Sequence, residues 1–229
     1  MFAGLERTLR GKERFLSKRL NAWSRMWVFL AVLCIAASFF FPLWHIHLEA
    51  PQYREGLDLW IYGYQLVGGN EGQDLREINI LNHYIGMQEV HEADFLEMRI
   101  IPFALGFFIL FGLRTIFFGA MSGLIDNLAL YLYFCLFSLA NFVYRMYSYG
   151  HDLDPTAPIN PDPFWPALIG TKQIANMTQT SLPHGASYLL IAALVLMALA
   201  IFQSRREPTF YEDSARRSAS SASSSRATA

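Results

Sequence analysis

The sequence predicts an all-α membrane protein with four transmembrane helices, both termini in the cytoplasm and two long, partly folded outer loops. Three observations predict this class: four apolar runs of about bilayer length, an uneven distribution of basic residues between them, and a low charge content. Of the 229 residues, 53% are hydrophobic and 16% are charged, whereas a soluble domain carries about 25% charged residues. This composition excludes a chain that is disordered throughout, and the net charge of −1 gives no sign of nucleic-acid binding.

The four apolar runs predict helices at about residues 26–44, 98–120, 126–147 and 185–203, because a spanning helix needs about 20 mostly apolar residues. The first run holds no charged residue and is longer than the apolar core of a signal peptide, so we expect a retained anchor. From Ile100 onward the second run is interrupted only by Arg114, and the third and fourth are uncharged from Leu128 to Tyr144 and from Ala186 to Phe202. The chain is therefore predicted to consist of a basic cytoplasmic segment (1–25), a membrane domain (26–203) and a cytoplasmic tail (204–229). The outer loops of the membrane domain are residues 45–97 and 148–184. The tail is rich in serine, so we expect it to be disordered.

The orientation follows from the basic residues. Thirteen of the 18 Lys and Arg residues lie before the first run, at Arg114 or after the fourth run. Cytoplasmic segments carry this excess, so both termini are predicted to be cytoplasmic. The acidic residues show the opposite distribution, which leaves a net charge of −8 on the outer side, counted over residues 45–99 and 145–184, and +7 on the rest of the chain.

Local patterns predict some structure in the outer loops. Residues 60–67, followed by the glycine-rich turn 68–72, are typical of a short strand or hairpin. The second loop contains five prolines between 155 and 166, which favour an extended chain. We expect a short helix over 172–180.

All six histidines lie in or beside these loops: His45, His47, His83, His91, His151 and His184. Imidazole with thioether suits copper, and imidazole with carboxylate suits zinc or Cu(II). The candidate metal ligands are His45, His47, His83, Met87 and His151, with His45-x-His47 and Glu49 as a local chelate. The spacing matches no established metal signature, so structural or interfacial histidines, and proton transfer, stay open as alternatives.

Motifs for catalysis are absent from the sequence. It contains no Cys-x-x-Cys-His for haem attachment, no phosphate-binding or dinucleotide-binding glycine pattern and no Gly-x-Ser-x-Gly elbow. We therefore predict that the protein is not an enzyme. Small residues on the second and fourth helices predict close packing within the chain or against a partner: Gly106, Gly112, Gly119, Gly123, Ala186, Ala193 and Ala200.

Several short segments carry a resemblance to a known family. They are Phe41-Pro42-Leu43-Trp44, residues 49–53 (EAPQY) with Gly56-Leu57, residues 79–87 (N-x-LNHYIGM), residues 149–155 (YGHDLDP) and residues 168–173 (LIGTKQ). Over about residues 26–202 the chain resembles a family of small four-helix membrane proteins from nitrous oxide reductase gene clusters of the second, Sec-exported type. There the family accompanies copper-delivery lipoproteins and an ABC transporter. The resemblance implies a place in the bacterial inner membrane and a link to nitrous oxide respiration, denitrification and copper-enzyme maturation, and it implies no catalytic residue.

Two functions are therefore expected. The first is an accessory membrane protein that supports maturation of, or electron supply to, a periplasmic copper enzyme through its outer loops, with copper as the candidate ion. The second is a structural subunit of a membrane electron-transfer complex without a metal site of its own. The expected partners are membrane lipid and a periplasmic or membrane protein, with no nucleic acid.

Overall fold

The computed structural model describes residues 13, 15–159, 161–174, 176–205 and 207–208. Residues 1–12 of the predicted N-terminal segment and 209–229 of the predicted tail lie outside this range. The helices are α1 (Ala22–Ala37), α2 (Gln73–Tyr84), α3 (Leu96–Phe118), α4 (Met121–His151) and α5 (Gly185–Ser204), and the strands are β1 (Trp44–Ala50), β2 (Tyr53–Ile61), β3 (Leu66–Gly68), β4 (Gly170–Ile174) and β5 (Met177–Pro183). Short 3₁₀ turns cover Ser38–Phe40, Asn70–Gly72 and Glu92–Asp94.

Four of the helices are long and apolar enough to cross a membrane: α1 with its 3₁₀ extension, α3, α4 and α5. The first apolar helix ends earlier than predicted, at Ala37 with a turn to Phe40, and not at residue 44. Phe41 has extended backbone angles (φ −121°, ψ 150°) because a proline, Pro42, follows it and disfavours the helical conformation in the preceding residue.

The prediction of an all-α fold is wrong. The segments between the spans form a five-stranded antiparallel sheet in the order β3-β2-β1-β5-β4. The hairpin expected around residues 60–67 is present as β2 and β3, but the helix expected over 172–180 is instead the β4–β5 hairpin. The residues of β1 (WHIHLEA) alternate between apolar and polar, a pattern that places all the apolar side chains on one face of a strand.

The chain folds as two compact units. The first, here called the helical unit, comprises the described residues within Met1–Leu33, Phe108–Tyr131 and Ala192–Ala229, and the second, the sheet unit, comprises those within Cys34–Phe107 and Leu132–Ile191. In the helical unit a Cβ on Gly112 would lie 2.5 Å from Cγ2 of Val32, and Ala193 and Ala200 are fully buried. These small residues are therefore used for close helix packing inside this unit, as the sequence predicts.

In the sheet unit the apolar face of the sheet carries the hydrophobic core. Leu57 and Leu59 of β2 are buried together with Ile78 and Leu81 of α2. Ile46 and Leu48 of β1 pack against the same core. Because side chains alternate along a strand, the residues between them, His45 and His47, face the opposite side of the sheet.

Candidate metal centre

Two histidines and one aspartate meet on the polar face of the sheet. His47 of β1 is paired with Asp58 of β2, and His45 is paired with Trp60. The side chain of Asp58 therefore lies directly opposite one histidine and diagonally opposite the other, within the reach of both.

A single carboxylate oxygen accepts hydrogen bonds from both rings. His45 Nε2 and His47 Nδ1 each lie 2.8 Å from Asp58 Oδ1. An ionised carboxylate only accepts hydrogen bonds, so each of these two ring nitrogens carries the proton in this arrangement. One ligand atom from each of the three residues lies within 4.8 Å of the other two, and the side chains of His45, His47 and Asp58 are 23%, 28% and 36% exposed. The group is thus compact and open to solvent.

The environment of Asp58 keeps its carboxyl ionised. Burial raises the pKa of Asp58, but the hydrogen bonds and electrostatic attraction of His47 and His45 outweigh that effect and hold this pKa below its ordinary value. At neutral pH the cluster therefore contains a negative charge between two imidazoles.

The glycine-rich turn after β3 fixes the backbone of Asp58. The Asp58 N–H donates to Oδ2 of Asp74 over 2.9 Å, and the Gly69 N–H donates to the Asp58 carbonyl over 2.8 Å. Asp74 is only 3% exposed, and its Oδ1 accepts a 2.8 Å hydrogen bond from the amide of Asn70. A Cβ on Gly69 would lie 2.3 Å from Asp74 Oδ2, so a larger residue here would displace this hydrogen-bonded carboxylate. The turn and its buried carboxylate therefore position the strand that carries Asp58.

Gly56 sets the position of the His47 ring. Its φ is +77°, and a Cβ there would lie 2.2 Å from Cε1 and 2.4 Å from Nε2 of His47. Only glycine combines this left-handed backbone with so close an approach. On the same ring, Nε2 lies 3.7 Å from Oε1 of Glu49.

Aromatic rings support His45. Its imidazole stacks on Trp60, with the ring centroids 3.7 Å apart and the planes 12° from parallel. His184 meets the same indole edge-on at 5.1 Å and lies 6.4 Å from the His45 ring. The two rings limit the orientations open to His45.

Of the predicted ligands, only His45 and His47 are brought together. His83 is exposed on α2, Met87 is half-buried against the apolar core, and the His151 ring stacks on Tyr147 at 3.8 Å while its Nδ1 donates to the Tyr147 carbonyl. Among the described residues, the one group of three potential His, Cys, Asp or Glu ligands is His45, His47 and Asp58. The prediction missed Asp58, although the period-2 alternation of both WHIHLEA and LDLWI is a hairpin signal that would have placed it there.

Four helices of spanning length and apolarity, with an antiparallel sheet that carries a His–His–Asp group on its polar face, define the class of this protein. No protein-family model, curated protein or solved structure with which the chain was compared matches it. The resemblance to the membrane proteins of nitrous oxide reductase clusters therefore stays a prediction.

Proposed function

We propose that this protein is an accessory protein of the bacterial inner membrane that supports maturation of, or electron supply to, a periplasmic copper enzyme such as nitrous oxide reductase. In this proposal the five-stranded sheet lies on the periplasmic side and holds a copper ion at His45, His47 and Asp58. The observation that carries the proposal is the convergence of two imidazoles on one carboxylate on a solvent-facing surface of the sheet.

The donor set fits such an ion. Imidazole nitrogen and carboxylate oxygen are ligands for divalent copper and zinc, and a given site of this kind binds copper more tightly than zinc. The three ligands project from paired strands, which hold a binding geometry more precisely than a loop does.

The charge distribution supports the assignment of the sheet to the periplasm. The strands lie in the two segments between the first and second and between the third and fourth spanning helices. These segments contain most of the acidic residues and few of the basic ones, which is the pattern of translocated segments.

The first test is a copper titration of the full-length protein in detergent at neutral pH. We expect one bound copper per chain. The variants His45→Ala, His47→Ala and Asp58→Asn should each lose about 10–100-fold or more in copper affinity, because removing a residue that only orients a metal ligand already costs about 10–100-fold. His91→Ala is the matched control, because His91 is exposed and its ring pairs only locally with Glu89 at 2.9 Å. Absence of bound copper in the wild-type protein would overturn the metal clause.

The second test is genetic. Deletion of the gene should lower the copper content of the periplasmic enzyme, and the wild-type gene should restore it while the His45→Ala, His47→Ala double variant should not. Full restoration by the double variant would show that the accessory role does not use this site.

The alternative of a purely structural subunit is distinguished by co-purification from native membranes. Partners with haem or iron–sulfur groups, together with normal function of the double variant, would favour that alternative. The packing of Gly112 against Val32 within the chain accounts for one of the small-residue positions that otherwise point to a partner helix.

A further inference from the structure

The His–His–Asp group also bears on which oxidation state of copper the site accepts. We propose that the site binds Cu(II) in preference to Cu(I) and holds it exchangeably, with one coordination position open to solvent. This inference rests on the proposed function. This inference follows from the donor atoms, from their charge and from their exposure.

The sulfur donors near the sheet lie away from the group. Met87, and Met177 with 4% exposure, belong to the apolar core on the other face of the sheet. Cys34 and Cys135 are half-buried on α1 and α4, and neither joins the group among the residues that the structure describes. Cu(I) prefers soft thiolate and thioether ligands, whereas the donors that do converge here, imidazole and carboxylate, suit Cu(II).

The charge of the group also favours a divalent ion. The Asp58 carboxylate attracts a divalent ion more strongly than a monovalent ion at the same distance, because the Coulomb energy is proportional to the product of the two charges. On binding, the metal takes the place of the protons that His45 Nε2 and His47 Nδ1 direct at Asp58 Oδ1. A neutral ring carries one N–H proton, so that proton moves through solvent to the other ring nitrogen as the metal binds, and a doubly protonated ring releases one proton to solvent. No electron transfer is required.

The coordination shell is incomplete with protein ligands alone. Three ligands with an open position are typical of sites that exchange their fourth ligand, whereas structural sites are closed by four. The partial exposure of all three side chains leaves that position accessible to water or to a ligand from an acceptor protein. The site is therefore suited to the transfer of an ion by ligand exchange.

Trp60 provides a direct reporter for this proposal. Its indole stacks on His45 at 3.7 Å, so a paramagnetic Cu(II) ion at the site should quench its fluorescence, whereas the closed-shell ion Zn(II) should quench it little. A Trp60→Phe variant removes the reporter without removing a ligand, and so separates this signal from that of the other four tryptophans.

The experiment titrates the full-length protein in detergent with Cu(II), with Cu(I) under anaerobic reducing conditions, and with Ag(I) as a redox-inert substitute for Cu(I). We expect one Cu(II) with an electron paramagnetic resonance signal that shows nitrogen coupling, affinity at least about ten-fold above that for either monovalent ion, and removal by a chelator within minutes. The signal should be lost in His45→Ala and His47→Gln and kept in His91→Ala.

The outcomes separate the two proposals. Monovalent ions that bind as tightly as Cu(II) at the same residues would overturn the selectivity and leave the proposed function standing. Bound Cu(II) that resists the chelator would overturn the exchangeable character of the site. Failure of copper in both oxidation states to bind would overturn the metal clause of the proposed function together with this inference.

Discussion

Substitution of Gly56 by alanine should weaken metal binding without removing any ligand. The backbone there is left-handed (φ +77°), and the new Cβ would lie 2.2 Å from Cε1 and 2.4 Å from Nε2 of His47. Carbon atoms make favourable contact at about 3.5–4.0 Å, so the ring must move by more than about 1 Å or the strands must separate. Either movement breaks the 2.8 Å contact between His47 Nδ1 and Asp58.

Two costs are expected for Gly56→Ala. The left-handed conformation costs about 1–2 kcal/mol for a residue with a Cβ, and this lowers the free energy of unfolding. Displacement of one ligand by about 1 Å should lower copper affinity by about 10–100-fold, the range measured when ligand-orienting groups are removed. Thermal unfolding measures the first cost, and copper titration in detergent measures the second.

Gly170→Ala is the matched control for Gly56→Ala. Gly170 also has a left-handed backbone (φ +98°), but a Cβ there meets no atom within 4 Å. The Gly170→Ala variant should therefore lose about as much free energy of unfolding as Gly56→Ala and keep the copper affinity of the wild type. The reasoning is refuted if Gly56→Ala binds copper as tightly as the wild type, or if both variants lose affinity equally, because strain alone would then explain the result.

Three further predictions concern the supports of the site and the helix packing. Asp74→Ala should cost about 1–3 kcal/mol in the free energy of unfolding, because it removes the acceptor of both the part-buried Asp58 N–H and the Asn70 amide. It should also weaken copper binding, and unchanged chemical denaturation would count against this role. Since the pKa of Asp58 is lowered in the fold, its stabilising effect is present above its ordinary pKa of about 3.9 and is lost as the pH falls below that value. The difference in melting temperature between wild type and Asp58→Asn should shrink as the pH falls below about 3.9. A difference that stays constant at lower pH would show that the ionised carboxylate of Asp58 does not stabilise the fold. Gly112→Ala should destabilise the protein by about 1–3 kcal/mol by overpacking against Val32, with copper affinity unaltered, and an unchanged melting temperature would show that the helices adjust freely.

The spans were predictable because the signal for them is local. A run of about 20 apolar residues excludes almost every structure except a spanning helix, and the structure contains four helices of that kind. Their boundaries were less predictable. The apolar run of the first span continues to Trp44, but the helix ends at Ala37 with a 3₁₀ turn to Phe40, and Trp44 is already the first residue of β1.

The sheet was missed because its signal depends on spacing. The predicted outer loop 45–97 begins with histidines that alternate with isoleucine and leucine, and this period-2 alternation is typical of a strand with one buried face. For β4 and β5, short segments such as GTKQI and MTQTSLP have weak individual preferences, and pairing with β1 decides their conformation.

The candidate metal centre shows the same division between local and tertiary information. The sequence by itself determined the four apolar helices, the opposite charges of the segments between them, and the proximity of His45 and His47, because each depends on residues close together in the chain. Only the tertiary structure decided that Asp58, 13 and 11 residues further on, completes the group and that Met87 packs into the core instead. The physical reason is the antiparallel pairing of β1 and β2. Their register, fixed by one buried apolar face, places residues distant in the chain on the same polar face.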